Sequence, residues 1–405
     1  MKTGFEMLPE LAARWGTPLF VYDTSIIDRQ YQRLVNAFKG QNVQFNYACK
    51  ALSNPNILKY FKALGTGLDT VSIEEVKLGL MAGFDPKQIL FTPNCVDLSE
   101  IEEAINLGVQ INIDNLSILE QFGSRYGDSV PVCVRMNPHI LAGGHQKIST
   151  GHIDSKFGIS IHQNRHLQRI IKHYNIHVNG LHMHTGSDIL DVDVFLRGAQ
   201  VLMDLAFDFP ALEYIDFGSG FKVPYRPGER GTNVEELGEK MGHLFSEFCN
   251  QYGRSLALAF EPGKWLVSEA GYFLARVNVV KHTTSTVFAG VNSGFNHFIR
   301  PMLYDAYHHI LNLSNPKGVE RIYTVVGYIC ETDTFAWDRP LPEVREGDIL
   351  CFLNAGAYLY SMSSNYNARL KPAEVLVHRE KDYLISRRQT LDDLLTSVIT
   401  CDLEY

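Results

Sequence analysis

Three features of the sequence predict a (β/α)8 barrel followed by a C-terminal β domain. From about residue 40 to Trp265, short β-like runs alternate with amphipathic helical stretches, the pattern of parallel strands covered by helices. After Trp265 the rhythm changes to long β-rich runs, which reads as a separate β-sandwich or β-barrel domain. Thr17–Asp23 is strand-like yet precedes the barrel, so it is expected to pair with the C-terminal sheet. The boundaries that follow are 1–24 for the N-terminal strand segment, 25–265 for the barrel and 266–405 for the β domain.

In chain order the barrel strands are expected at Gln44–Ala51, Gly67–Val71, Gln88–Thr92, Val109–Ile113, Val130–Met136, Val178–His184, Tyr214–Gly218 and Leu256–Glu261. Between them lie helical patterns such as Ser72–Ala82, opened by a Ser72/Glu75 capping box and stopped before Gly83. Eight strand-plus-helix units over about 220 residues make a barrel slightly shorter than the typical ~250. The β domain is expected to contain Thr286–Val291, Arg321–Cys330, Asp348–Leu353 and Ala373–Arg388, the last folded at a Glu380-Lys381-Asp382 turn.

Composition excludes several classes. With 45% hydrophobic and 20% charged residues the 405-residue chain has material for a large core and no sign of disorder. Lys+Arg 37 against Asp+Glu 45 leaves −8, which argues against a nucleic-acid partner. Glu6, Glu10 and Arg14 interrupt any signal-peptide core, so a cytoplasmic location is expected. The uncharged-looking stretch Ile349–Ala368 carries three asparagines and three serines, which hydrocarbon would not accept, so no membrane span is expected. Seven cysteines with no CxxC pair argue against a disulfide framework and a thiolate zinc site; most are expected to be buried thiols.

In a barrel the chemistry gathers at the C-terminal ends of the strands. Period two puts Lys50 on the face opposite Phe45 and Tyr47, hence toward the barrel mouth, where a desolvated lysine is a candidate amine nucleophile. His182 and His184 share a face, a pattern that suits a metal ion and a packed core equally. Asp216-Phe217-Gly218-Ser219-Gly220 is a glycine-rich exit that lets backbone N–H groups reach a phosphate. Ala257, Ala259 and Glu261 line one face of the last strand, leaving room beside a carboxylate. An amine, a flat imidazole, a phosphate cradle and an anion for a ring nitrogen are together what pyridoxal phosphate needs.

These residues also resemble a known family. Tyr47-Ala48-Cys49-Lys50-Ala51, His182 to Ser187, Asp216 to Gly220, Glu261-Pro262-Gly263-Lys264, Cys330-Glu331 and Ala355-Gly356-Ala357-Tyr358 resemble the fold-type III pyridoxal-phosphate decarboxylases, relatives of the alanine racemase fold. The resemblance extends over nearly the whole chain, through Ser149-Thr150-Gly151, Lys156-Phe157-Gly158 and Tyr366-Asn367-Ala368-Arg369. It implies that Lys50 carries the cofactor as an imine, His184 stacks on its ring, Glu261 pairs with the ring nitrogen, and Asp69 belongs to the same site. The phosphate would be held by Ser187, Gly218, Gly220 and the turn through Gly263 and Lys264, with Tyr358 nearby.

The resemblance further implies a homodimer whose active sites are shared, Cys330 of one chain serving as the acid in the other's pocket. Its implied reaction is decarboxylation of meso-diaminopimelate to L-lysine, the last step of lysine biosynthesis. Lys264, Arg300, Tyr304, Glu331 and Tyr358 would bind the substrate's distal end, the arginine taking its carboxylate and the glutamate its ammonium. The alternatives on the same scaffold are decarboxylation of ornithine, arginine or carboxynorspermidine, none of which gives Arg300 a distal amino-acid end to hold. Three positions depart from the family pattern: Ser219 for glycine, Asn354 for aspartate and Lys264 for arginine, the last keeping the charge but not the bidentate fork.

Overall fold

The computed structural model describes residues 4–140 and 154–403; the Gly143-Gly144-His145 loop and the Ser149-Thr150-Gly151 run lie outside the described residues. After helix Gly4–Trp15 and strand β1 (Leu19–Asp23), the chain builds β2 (Val43–Ala48), β3 (Gly67–Thr70), β4 (Ile89–Phe91), β5 (Gln110–Ile113), β6 (Val132–Asn137), β7 (Ile159–Ser160), β8 (Val178–Met183), β9 (Tyr214–Asp216) and β10 (Ala257–Phe260). All eight expected barrel strands are present and pair in parallel, in the order β5-β4-β3-β2-β10-β9-β8-β6, with β5–β6 closing the ring. Within this sheet only β7 was not anticipated; two residues long, it pairs with the end of β6.

Strand ends fall short of the expected ones for local reasons. Cys49–Ala51 forms a 3-10 turn, so β2 stops at Ala48. Gly218 has φ +63°, a left-handed conformation that no strand continues through, so β9 stops at Asp216. Helix Ile73–Met81 starts where the capping signal placed it: the Ser72 side chain accepts the Glu75 N–H, and Glu75 accepts from Val71 N at 2.9 Å.

Period two sorts the strand residues between helices and barrel interior. Phe260, at the end of β10, is the hub of the helix-facing layer, its ring 5.0 Å from Phe38 and 5.9–6.3 Å from Phe221, Phe195, Phe45 and Phe217. Tyr47 stacks on Phe61 at 3.7 Å. Their neighbours on the other face are polar, and Gln44 Nε2 donates to Asn46 Oδ1 at 2.9 Å.

The chain divides into two compact units, the barrel (Arg29–Pro224 with Arg230–Leu266) and a β unit (Met1–Asp28, Tyr225–Glu229 and Val267–Tyr405). The β unit adds β11 (Gly271–His282), β12 (Val287–Val291), β13 (Ile310–Asn312), β14 (Glu320–Val326), β15 (Thr334–Pro342), β16 (Ile349–Phe352), β17 (Ala373–His378) and β18 (Lys381–Ser386). Its strand order is β15-β14-β12-β11-β1-β17-β18, with β16 bridging β11 and β13. As expected, β1 joins this sheet: Leu19 lies opposite Leu274 in antiparallel β11 and beside Ala373 in parallel β17. Being central, β1 is buried at all five positions, and Met7, Leu8 and Leu11 of the first helix pack on Leu19 and Val21. Residues Arg379 and Glu380 turn the β17–β18 hairpin with φ +50° and +63°, one residue earlier than Glu380-Lys381-Asp382 suggested. Gly356 of the Ala-Gly-Ala-Tyr run presses so closely on Val267 and Gly271 that a Cβ would overlap their backbone. Among the described residues no helix is long and apolar enough to cross a membrane.

Truncating Phe260 would leave a cavity against five other rings. Phe260→Ala is expected to destabilise the barrel by about 3–5 kcal/mol, measured by chemical denaturation followed through far-UV dichroism.

Candidate active site

Because the barrel strands are parallel, their C-terminal ends share one rim, and the predicted barrel residues stand there. Lys50 is not a strand residue pointing inward from a dry wall. It sits in the 3-10 turn after β2, its side chain is 41% exposed, and Nζ lies 3.4 Å from Asp69 Oδ2. The expectation of a desolvated lysine is therefore corrected: the amine reaches the rim from a turn and is balanced by a carboxylate. Asp69, from β3, is 1% exposed, and burial is the main cause that raises its carboxyl pKa, with Lys50 opposing.

Strand register places Arg135 (β6), His182 (β8) and Asp216 (β9) side by side, and Glu261 follows β10. His182 Nε2 is 3.1 Å from Glu261 Oε2. Burial, reinforced by Arg135, holds His182 well below the ordinary imidazole range, so the ring is neutral and Nε2–H donates to the carboxylate. Asp216 and Glu261 are close neighbours, with a carboxylate oxygen of each within 4.8 Å of the other. Burial and then the Glu261 charge push Asp216 well up, whereas the rise that burial causes in Glu261 is opposed by Lys50 and Arg135. Glu261 Oε1 is buried and has no hydrogen-bond partner among the described residues. The two histidines do not form a metal pair. Among the described residues the group with metal-ligand geometry is His182, Asp216 and Glu261, whose ligand atoms lie within 4.8 Å of one another.

His184 stands one residue beyond β8 and bonds to the glycine-rich exit instead, its Nδ1 accepting the Ser219 N–H at 3.3 Å. That ring too is kept well below the usual range, by burial first and then by Arg135. Gly218 (φ +63°) and Gly220 (φ +116°) supply the left-handed turns of the exit; a Cβ on Gly218 would come within 2.6 Å of Met183 O and 2.8 Å of His184 Nδ1. Ser219 needs no positive φ, so its departure from glycine is accommodated. Lys264 is buried at the start of helix Lys264–Val267, its Nζ bonded to Ser187 Oγ at 2.7 Å and to Asp188. Asp188 was not anticipated as a site residue, although it adjoins Ser187 in sequence.

The remaining predicted residues belong to the β unit. Helix Arg300–Tyr304 presents its two ends on one side, and the buried Arg300 guanidinium lies 5.1 Å from the Tyr225 ring and 6.0 Å from that of Tyr304. His308 Nδ1–H donates to Leu353 O at 2.9 Å, leaving Nε2 to accept from Arg300 Nε at 3.4 Å. Burial, with Arg300 beside it, pushes His308 down to about 3. Neither Tyr225 nor His308 carried a sequence signal.

Cys330 is exposed in a turn beyond β14, and Asn367 Nδ2 donates to its sulfur at 3.2 Å, so a buried strand-end thiol is the wrong description. Three of the seven cysteines, Cys49, Cys133 and Cys351, are buried, fewer than expected. Neighbouring Glu331 accepts from Tyr366 Oη. Asn354 and Tyr358 both have φ +56°; asparagine tolerates this and tyrosine rarely adopts it. Within the β unit the structure thus joins Arg300 to Tyr304, and Cys330-Glu331 to Tyr366-Asn367.

Residues 24–268 match the family model described as "Pyridoxal-dependent decarboxylase, pyridoxal binding domain". A diaminopimelate decarboxylase of Methanothermobacter thermautotrophicus is 40% identical, over 95% of this chain and 92% of that one. The chain belongs to the diaminopimelate decarboxylase family of pyridoxal-dependent enzymes. A further member from Neisseria meningitidis serogroup B is 35% identical over 97% of this chain and 95% of its own length. Among solved structures, a diaminopimelate decarboxylase matches with TM-score 0.90 at 33% identity, covering 96% of both chains. One from Helicobacter pylori, complexed with L-lysine, matches with TM-score 0.87 at 31% identity, covering 96% of this chain and 98% of that one. The family's barrel and β domain are those described above, and its cofactor is pyridoxal phosphate.

Two buried imidazoles give the β unit a defined acid response. His308 is held at about 3 and His297 at about 4, both mainly by burial, against the unfolded ~6.5. The unfolded chain therefore binds more protons below pH 6.5, and the stability present above that value is lost as pH falls toward 4 and then 3. The melting temperature is expected to fall steadily over this window, and His308→Gln to flatten its slope.

Proposed function

We propose that this chain decarboxylates meso-diaminopimelate to L-lysine with bound pyridoxal phosphate. The observation that carries the proposal is the pairing at one barrel rim of an accessible amine, Lys50, with a buried carboxylate oxygen, Glu261 Oε1, that has no partner among the described residues. The cofactor fits this donor set. Lys50 would hold its aldehyde carbon, Glu261 its ring nitrogen, His184 its ring face, and the N–H groups around Gly218 and Gly220 its phosphate, with Ser187 and Gly263 alongside. When bound, pyridoxal phosphate supplies a protonated ring that accepts the electron pair of the breaking C–CO2 bond.

The chain's own groups do the rest. Arg300 offers its guanidinium to the substrate's distal carboxylate while His308 and Tyr225 fix its plane, and Tyr304 and Tyr358 flank that end. Glu331 would take the distal ammonium, a role matched by the hydrogen bond from Tyr366 that orients it. Lys264 keeps its charge close to Ser187 and Asp188, so Arg300 is the main cation for the substrate. The Cys330 thiol would give its proton to the carbon that loses carbon dioxide. Its exposure suits delivery into the pocket of a second copy, and a homodimer with shared sites in the cytoplasm is part of the proposal. Loss of carbon dioxide from diaminopimelate leaves lysine, the ligand carried by the Helicobacter pylori relative.

Carbon dioxide release tests the reading. The purified holoenzyme is expected to act on meso-diaminopimelate and to leave ornithine, arginine and carboxynorspermidine almost untouched; preference for any of these would refute the substrate. Cys330→Ala is expected to lower kcat by roughly 10²–10⁴-fold, the range for loss of a positioned acid, without changing cofactor content. Glu331→Gln should raise KM for diaminopimelate by about tenfold, the effect of losing one charged contact, and leave the visible spectrum unchanged.

A further inference from the structure

We propose that His182 is a positioning residue that holds Glu261 as an anion with one oxygen directed to the cofactor's ring nitrogen. The inference rests on the proposed function, since it deepens the role given to Glu261. It starts from a shortage of donors. Glu261 is buried, and of its two carboxylate oxygens Oε2 is bonded by His182 while Oε1 has no partner among the described residues. One buried oxygen is thus anchored, and the other is left for a ligand.

The identity of the anchor matters as much as its position. His182 is fully buried between Arg135 and Asp216 in strand register. The charged groups that bear on it are Arg135 and Lys50, which oppose its protonation, and Asp69 and Asp114, which favour it. With burial on the side of the bases, the imidazole stays neutral. A neutral donor orients the carboxylate without neutralising it, whereas a lysine or arginine in the same place would share its charge and weaken its hold on a ring N–H⁺. The Nδ1 of His182 is buried and has no partner among the described residues, as expected for the tautomer that carries its hydrogen on Nε2.

The replacements that separate geometry from bulk are His182→Gln, whose amide nitrogen can occupy the Nε2 position, and His182→Asn, whose shorter amide cannot reach Glu261. Apo-protein would be titrated with pyridoxal phosphate while the visible band is followed from pH 6 to 9. His182→Asn is expected to weaken cofactor affinity by about tenfold or more, to shift the pH midpoint of the band, and to lower kcat far more than it changes KM. His182→Gln is expected to stay within about threefold of the parent on each measure. Equal losses in both variants, or parental behaviour of His182→Asn, would overturn the proposal. If His182→Asn does not fold, nitrogen-15 shifts of His182 in the parent protein decide instead: an Nδ1–H tautomer or an imidazolium would refute it. Glu261→Gln is the control for the underlying reading. A parental cofactor affinity and band in that variant would remove Glu261 from the ring nitrogen, whereas a changed Glu261→Gln beside an unchanged His182→Asn would sink the present inference alone.

Discussion

The barrel rim is governed by the cost of placing Asp69, Asp216 and Glu261 where water scarcely reaches them. An isolated buried carboxylate is driven to take up a proton unless cations or N–H donors stand against it. Lys50 and Arg135 supply two positive charges, and Gly218 N–H donates to Asp216 at 2.8 Å. His182 and His184 are kept neutral by the same burial, so they add no positive charge to the rim. What Glu261 still lacks among the described residues is a hydrogen-bond partner for Oε1. The ring nitrogen proposed to bind there would supply that partner.

A parallel economy operates in the β unit. Arg300 is buried against Tyr225 and Tyr304, and a neutral His308 accepts its Nε hydrogen. Among the described residues no carboxylate pairs with this guanidinium, so its charge remains available to an anion. Lys264 shows the opposite arrangement, with Asp188 directly on its ammonium. In a chain of net charge −8, attraction of an anion depends on such local fields.

Much of this was legible in the sequence because it rests on short-range rules. Period two separated Phe45 and Tyr47 from Gln44 and Asn46, and the eight strands were countable from their alternation with helices. Glycines at 218 and 220 announced a backbone that side chains would obstruct. What remained hidden depends on residues far apart in the chain. Nothing near His182 indicates that its partner is Glu261 rather than His184, because only the pairing of both strands with β9 brings β8 and β10 together. Lys50 was misjudged for a local reason, since a single 3-10 turn after Ala48 changes its direction and its exposure. Strand β11 escaped notice although it is the longest strand, because after its buried first half its residues face solvent and lose the apolar signature.

The central position of β1 bears on how the molecule is assembled. Its neighbours on the two sides, β11 and β17, are made after the whole barrel, so during synthesis the first strand emerges long before either partner exists. The barrel's strands need no residue from β1 or from the later sheet for their own pairing, and they can close while β1 waits. The β unit can therefore be completed only by capturing a segment from the beginning of the chain once β11 and β17 have been made. Until then β1, apolar on both faces and with both hydrogen-bonding edges open, is a segment of the kind that takes wrong partners.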